Sequence, residues 1–198
     1  GDQGGLAHYD GGATSLSTNL YHDGSWKAKE TGTSSRYEIG AGGTHNFYSG
    51  ASASADAAVT LTNTLSIDAD GHVTMPKQSA FSVTANQQND LTINANNTIQ
   101  FANEIFDQNA DFNTSNYTFT APVTGKYMLN VNVRMDNVNY QHTYMYMTLS
   151  TSNRVYEAII DLDRANSTNE NWDYVFLPIN VLADMDASDT AYVIMTIP

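Results

Sequence analysis

The side chains with chemistry to offer are carboxylates, imidazoles and aromatics. Asp184, Asp186 and Asp189 spell D-x-D-x-x-D, and Asp68 and Asp70 spell D-x-D-G. Closely spaced carboxylates suit calcium, a hard cation that collects several oxygens. An EF-hand loop begun at Asp184 also needs Gly at its sixth position and Glu at its twelfth, but those positions hold Asp189 and Met195. Aspartate is equally a favoured turn residue. Solvated turns are the preferred reading, and calcium is kept as a candidate ligand of Asp184, Asp186 and Asp189. The five histidines are His8, His22, His45, His72 and His142. They show neither zinc spacing nor H-E-x-x-H. Asp161 and Asp163 lie two residues apart, hence on one strand face. Glycosidase carboxylates usually come from different elements, about 5–9 Å apart, so this pair beside Arg164 reads as a charged sheet face. There is no G-x-S-x-G, no P-loop and no defensible Ser/His/Asp order. No catalytic site is expected.

The aromatics offer recognition instead. Of twelve tyrosines, Tyr144 and Tyr146 alternate within one run and are expected in a core or subunit seam. Tyr140 and Trp172 sit in polar stretches with Asn139, Gln141, Asn169 and Asn171. An aromatic face can stack on a sugar ring while neighbouring amides bond its hydroxyls. Those six residues are the candidate receptor-binding set. Asn96, Asn113, Asn116 and Asn166 each open an N-x-S/T sequon, but with asparagine this common, chance sequons are expected.

The elements that must position these residues are strands. YTFTA (Tyr117 to Ala121) alternates aromatic with small polar residues, and Pro122 ends it. Thr124-Gly125 makes a turn. KYMLNVNVRM (Lys126 to Met135) then alternates, with Tyr127, Leu129, Val131, Val133 and Met135 facing one way and Lys126, Asn130, Asn132 and Arg134 the other. Further strands are expected at Thr143 to Ser150, Arg154 to Asp163, from Trp172 through Met185 and in the final TAYVIMTIP. Earlier, Asp23-Gly24 and Asp70-Gly71 are hairpin turn signals. Gly1 to Thr18 is glycine-rich, lacks periodicity and reads as flexible. No helical period exceeds two turns.

Two resemblances follow. Phe101, Asp107, Phe112, Phe119, Gly125 and Tyr127 fall on the aromatic signature of the C1q globular domain family, a branch of the TNF-like jelly rolls. Leu129 and Val131 stand where that family has aromatics, and MPKQSAFSV (Met75 to Val83) resembles its first strand. The run from Leu20 to Met75, ending in Asp68-Ala69-Asp70-Gly71-His72-Val73, resembles modules of bacteriophage tail fibres. The resemblances imply an all-β chain: a glycine-rich leader and fibre or neck module over residues 1–75, and a C1q/TNF-like jelly-roll knob over 76–198. Both families are trimeric, so a homotrimer is implied. Some C1q domains bind calcium near the trimer axis, and in phage fibres histidines such as His22, His45 or His72 can hold a metal on the threefold axis. The C1q family usually closes with one further strand containing an aromatic-Ser-Gly-aromatic run, which this sequence lacks. A jelly roll without it would expose the edges of its neighbours.

Composition sets the outer limits. The chain has 198 residues, no cysteine, a net charge of −13 and a pI near 4.4. Packing must hold it without disulfides. A nucleic-acid partner would need a basic face, which such a charge argues against, and no apolar run approaches the length of a membrane span. There is no initiator Met and no signal-peptide pattern, so the sequence reads as a fragment or a processed product. The functional expectation is a trimeric virion fibre or spike tip, not an enzyme. It would bind a host-surface glycan or protein by multivalent adhesion and meet other virion proteins through its N-terminal side. The alternative is a secreted C1q-like recognition protein, with a fibre-borne depolymerase third.

Overall fold

The structure is a computed structural model that describes the backbone of residues 4–8 and all of residues 12–162 and 171–198. The described residues form strands, turns and irregular segments, with no helix among them. The chain divides into two compact units, Gly1–Gln78 and Ser79–Pro198.

The first unit contains β1 (Gly4–His8), β2 (Thr14–Thr18), β3 (Leu20–His22), β4 (Trp26–Ala28), β5 (Gly32–Ile39), β6 (His45–Ala53), β7 (Leu61–Ile67) and β8 (Val73–Thr74). Six of them make an antiparallel sheet in the order β1-β2-β5-β6-β7-β8, and β3 pairs with β4 as a separate hairpin. Both expected glycine turns are present: Asp23-Gly24 joins β3 to β4, and Asp70-Gly71 joins β7 to β8. Gly24 and Gly71 have φ of 98° and 87°, a left-handed conformation that favours glycine. The leader is a correction. Residues expected to be flexible form β1 and β2, paired from Gly4 opposite Thr18 to His8 opposite Thr14. Small serines conceal the strand period there, and Ser15 and Ser17 of β2 are buried.

This unit has a small apolar centre. Leu20, Ala28 and Val59 are buried, with Trp26, Ala53 and Leu61 packed against them. Polar groups complete it. Buried Asn19 donates to the carbonyls of Glu30 (3.0 Å) and Thr33 (3.1 Å) and accepts from the Glu30 amide (2.8 Å). Gly50 of β6 lies against Val59, where an added Cβ would stand 2.5 Å from a valine methyl.

The second unit contains β9 (Phe81–Thr84), β10 (Asn96–Thr98), β11 (Asn103–Asp107), β12 (Phe112–Asn113), β13 (Thr118–Thr120), β14 (Gly125–Val138), β15 (Tyr144–Thr151), β16 (Val155–Asp161), β17 (Trp172–Met185) and β18 (Thr190–Thr196). One sheet runs β12-β13-β18-β15-β16, with β10 also pairing β18. The pairs β14–β17 and β9–β11 stand apart from it. Every second residue of β14, β15, β17 and β18 turns inward, so Leu129, Val133, Met145, Met147, Leu177, Ile179, Val193 and Met195 share one core. This is the two-layered jelly roll expected.

The expected faces of β14 hold: Leu129 and Val133 are buried, Tyr127, Val131 and Met135 half-buried, and Lys126, Asn130, Asn132 and Arg134 exposed. Three expectations change. Tyr117 is a turn residue with φ of 61°, and the strand begins at Thr118. Of MPKQSAFSV only Phe81 onward is strand, because Met75 to Gln78 turns on a bond from the Gln78 amide to the Met75 carbonyl (2.9 Å). Tyr144 and Tyr146 leave the core to Met145, Met147 and Leu149, and their rings stack on the other face with centroids 6.3 Å apart. Alternation set the period of β15, but burial of the methionines set its phase.

Strand edges are distributed unevenly. β18 is covered on both sides, by β15 on one and by β13 and β10 on the other. β14 is paired to β17 alone and β9 to β11 alone. Each strand of these two pairs thus has one edge without a ladder partner among the described residues. Pro178 lies within β17 opposite Asn132, a place proline can occupy only where its missing N–H would face away from the ladder.

Candidate recognition site

The candidate receptor-binding residues gather at one end of the second unit. The loop Asn139–Thr143 joins β14 to β15, and Val138 at its root pairs with Trp172, the first residue of β17. Asn171 ties the two segments together: its side chain accepts from the Tyr140 amide (3.3 Å) and donates to the Asn137 side chain (3.0 Å). Asn139 stabilises the loop from within by accepting from the Gln141 amide (2.9 Å). Tyr140 is 39% exposed, and Asn139, Gln141 and Asn171 are exposed beside it. Trp172 differs from expectation. It is a half-buried strand residue packed against the main core, and its indole N–H is enclosed without a partner among the described residues. Asn169 lies outside the described residues. The candidate set is thus one exposed tyrosine among amides, with a half-buried tryptophan opposite Val138.

The charged candidates disperse. Asp184 is held by Arg154, whose guanidinium donates to both carboxylate oxygens (3.0 and 3.2 Å). That bonding holds the Asp184 carboxyl below the usual carboxylate range. Asp189 accepts from the Asp186 amide (2.8 Å), an ordinary turn contact. The three carboxylates do not gather into one cluster among the described residues; the acidic group that does is Asp68, Asp70 and His72, all exposed. There Asp68 accepts from the His72 amide (2.9 Å) and meets the His72 ring (2.9 Å), which lowers its pKa. His45 meets the Tyr37 hydroxyl (2.6 Å), His22 packs edge-on to Trp26, and His142 meets the Pro198 carbonyl (3.2 Å). Asp161 ends β16, while Asp163 and Arg164 lie outside the described residues.

The signature aromatics are structural. Phe81 stacks on Phe112 (5.1 Å) and Phe119 (5.0 Å), and Phe119 meets Tyr127 edge-on (5.3 Å). Tyr127 donates its hydroxyl to the Val123 carbonyl (2.6 Å), closing the turn before β14. Asp107 accepts from the amides of Asp111 (3.1 Å) and Phe112 (2.8 Å), fixing the loop that delivers Phe112 to the core. Nothing near Gly125 demands glycine, since an added Cβ would be 3.8 Å from the Tyr127 ring.

One set of exposed apolar side chains was missed in the sequence. On the outward face of β14 and β17, Met128 is 64% exposed, Tyr174 62%, Phe176 58% and Leu182 60%. Met128 lies opposite Leu182 and Arg134 opposite Phe176, and the Arg134 guanidinium also sits over the Tyr174 ring (5.4 Å). The signal was available: these residues are the apolar members of the outward phase of two alternating strands.

The second unit is an all-β jelly roll whose core is closed by the spaced aromatics Phe81, Phe112, Phe119 and Tyr127. A family model of the C1q domain matches residues 80–193, and the chain is a member of the C1q domain family. In fold it is similar to the globular domain of the zebrafish complement 1qA protein, with 15% identity, a TM-score of 0.47, 61% of this chain covered and 81% of that one. No curated protein sequence matches the chain.

Proposed function

We propose that the chain is a homotrimeric recognition protein that acts by multivalent adhesion. The observation that carries this is the exposed apolar face of Met128, Tyr174, Phe176 and Leu182. They form two apolar groups on that face, Met128 opposite Leu182 and Tyr174 beside Phe176, with Asn130 and Asn132 opposite Asn180 and Pro178 between them. Large apolar side chains on a sheet face favour covering by another subunit, each contributing roughly 1.5–3 kcal/mol when buried. Three copies would then present three loop sites together, raising weak contacts to useful avidity. Tyr140 with Asn139, Gln141 and Asn171 is the contact surface, and a glycan or polar protein epitope is the ligand class that fits it. Placement on a virion surface as a fibre tip, with a host-surface receptor as ligand, rests on the sequence resemblance of residues 20–75 to tail-fibre modules alone. The C1q family equally supports a secreted recognition protein.

Sedimentation of the full chain at micromolar concentration tests the assembly. A trimer is expected, and Phe176→Asp with Leu182→Asp should yield monomers that keep their β circular dichroism. A monomeric wild type would defeat the proposal. For the site, Tyr140→Ala should abolish cell adsorption without moving the melting temperature. Immunogold labelling of particles against culture supernatant separates virion from secreted placement.

A further inference from the structure

The six-stranded sheet of the first unit is inverted in polarity. On one of its faces Ser15, Ser17 and Ser34 are buried, and Gly50 lies against Val59. Arg36 and Glu38 pair on that same face with side chains only 11% and 18% exposed. The Arg36 guanidinium sits over the Trp26 ring (4.6 Å) of the β3–β4 hairpin. The covered face thus carries small and charged side chains.

The open face is apolar. Leu16, Tyr37, Phe47 and Leu65 stand opposite one another across β2, β5, β6 and β7. Ile39, His45, Ile67 and Val73 make the next row, across β5, β6, β7 and β8. Tyr37 stacks on Phe47 (4.7 Å) and meets His45 through its hydroxyl (2.6 Å), so the two rows share one face. Leu16, Ile39, Phe47 and Val73 are 42–59% exposed. A third row, Thr18, Ser35, Ser49 and Thr62, is exposed and polar. These three rows hold no carboxylate, ammonium or guanidinium.

A sheet with one covered face ordinarily turns its apolar side chains to the cover and its charges to water. Here the apolar rows face out, so covering them removes the most apolar surface from water. Charge selects the occupant. A chain of net charge −13 repels its own copies over most of its surface. An uncharged face is where copies meet without setting like charges together. A regular array of alternating side chains also fits another of its kind, because sheets pack face to face about 10 Å apart. Area sets the limit. Five strands about 4.8 Å apart and three rows deep offer roughly 400–500 Å² per copy, short of the roughly 800 Å² per partner of a stable interface. The contact therefore forms between copies already held together elsewhere.

We propose that this open face packs against the same face of the other copies in the homotrimer, as a second apolar contact besides the outward face of β14 and β17. Leu16, Ile39, Phe47 and Val73 are its apolar contacts. This contact rests on the homotrimer reading and adds the first unit to it.

The test uses single cysteines in the full chain, which has none of its own. Ser35→Cys and Ser49→Cys each place a thiol on the open face. Ser25→Cys places one in the turn of the β3–β4 hairpin, which covers the other face. A bis-maleimide reaching about 10 Å, the spacing of packed sheets, should join Ser35→Cys and Ser49→Cys chains into covalent dimers and leave Ser25→Cys chains unjoined. Sedimentation of the same samples reads the assembly. Trimers without cross-links at Ser35→Cys and Ser49→Cys, or with equal cross-linking at Ser25→Cys, would overturn this contact and leave the homotrimer standing. Monomers throughout would overturn both.

Discussion

The two units of this chain use the same strand period and hold themselves together differently. Among the described residues, the second unit buries a cluster of twenty apolar side chains, while the first buries three. In place of a core the first unit buries polar residues: Ser15, Ser17, Asn19 and Ser34. Its cohesion comes from the ladder and from Asn19, whose one side chain joins the segments at Glu30 and Thr33. A net intramolecular hydrogen bond contributes only about 1 kcal/mol, and ordering each residue costs about as much or more. The comparison teaches that regular pairing and independent stability are separate properties. A six-stranded sheet can be continuous while burying few apolar side chains.

The largest expected effect would break that comparison outright. Residues 1–78 expressed alone should show no cooperative melt as a monomer, because three buried apolar side chains cannot offset chain entropy. A monomeric fragment with a sharp calorimetric transition would show that the polar centre suffices. Within the second unit, Phe119→Ala should cost about 3–5 kcal/mol, since Phe119 is fully buried between Phe81 and Tyr127. Denaturant midpoints followed by near-ultraviolet dichroism would read this, and a loss under about 1 kcal/mol would mean the aromatic cluster is dispensable.

Asn19→Ala should cost roughly 2–3 kcal/mol, from three hydrogen bonds at about 1 kcal/mol each. Asn19 also has φ of 55°, so Asn19→Gly separates the two contributions: it relieves the backbone while still losing the bonds. Gly50→Ala should cost about 1–3 kcal/mol by driving a methyl into Val59, and Val59→Ala in the same chain should restore part of it. The smallest effect sharpens the electrostatics. Asp184 has its pKa lowered by Arg154, so its contribution is full above the ordinary carboxylate pKa and fades as pH falls through the lowered one. Arg154→Met should flatten the acid limb of the stability profile slightly and leave neutral-pH stability nearly unchanged, as suits an exposed pair.

Much of the second unit was legible because its signals are local and redundant. The alternation of β14 states which residues face the core, and the spacing from Phe101 to Tyr127 states the family signature. The loop candidates were half legible. Tyr140 and its amides stand exposed as expected, but nothing in the sequence around Trp172 said that it would begin β17 and pack inward. Its position opposite Val138 decides that, and this pairing joins residues far apart in the chain.

The sequence alone determined the all-β class, the glycine turns at Gly24 and Gly71, the two faces of β14 and the C1q signature, because turn chemistry and period-two burial act between near neighbours. Tertiary structure decided the rest. It made strands of the glycine-rich leader by flanking β2 with β1 and β5. It chose methionine over tyrosine for the inner face of β15. It also set apolar side chains of β2, β5 and β6 in rows on the open face of the first sheet. Each of these depends on which strands lie side by side, and strand neighbours are fixed by global packing of the core rather than by any stretch of sequence read by itself.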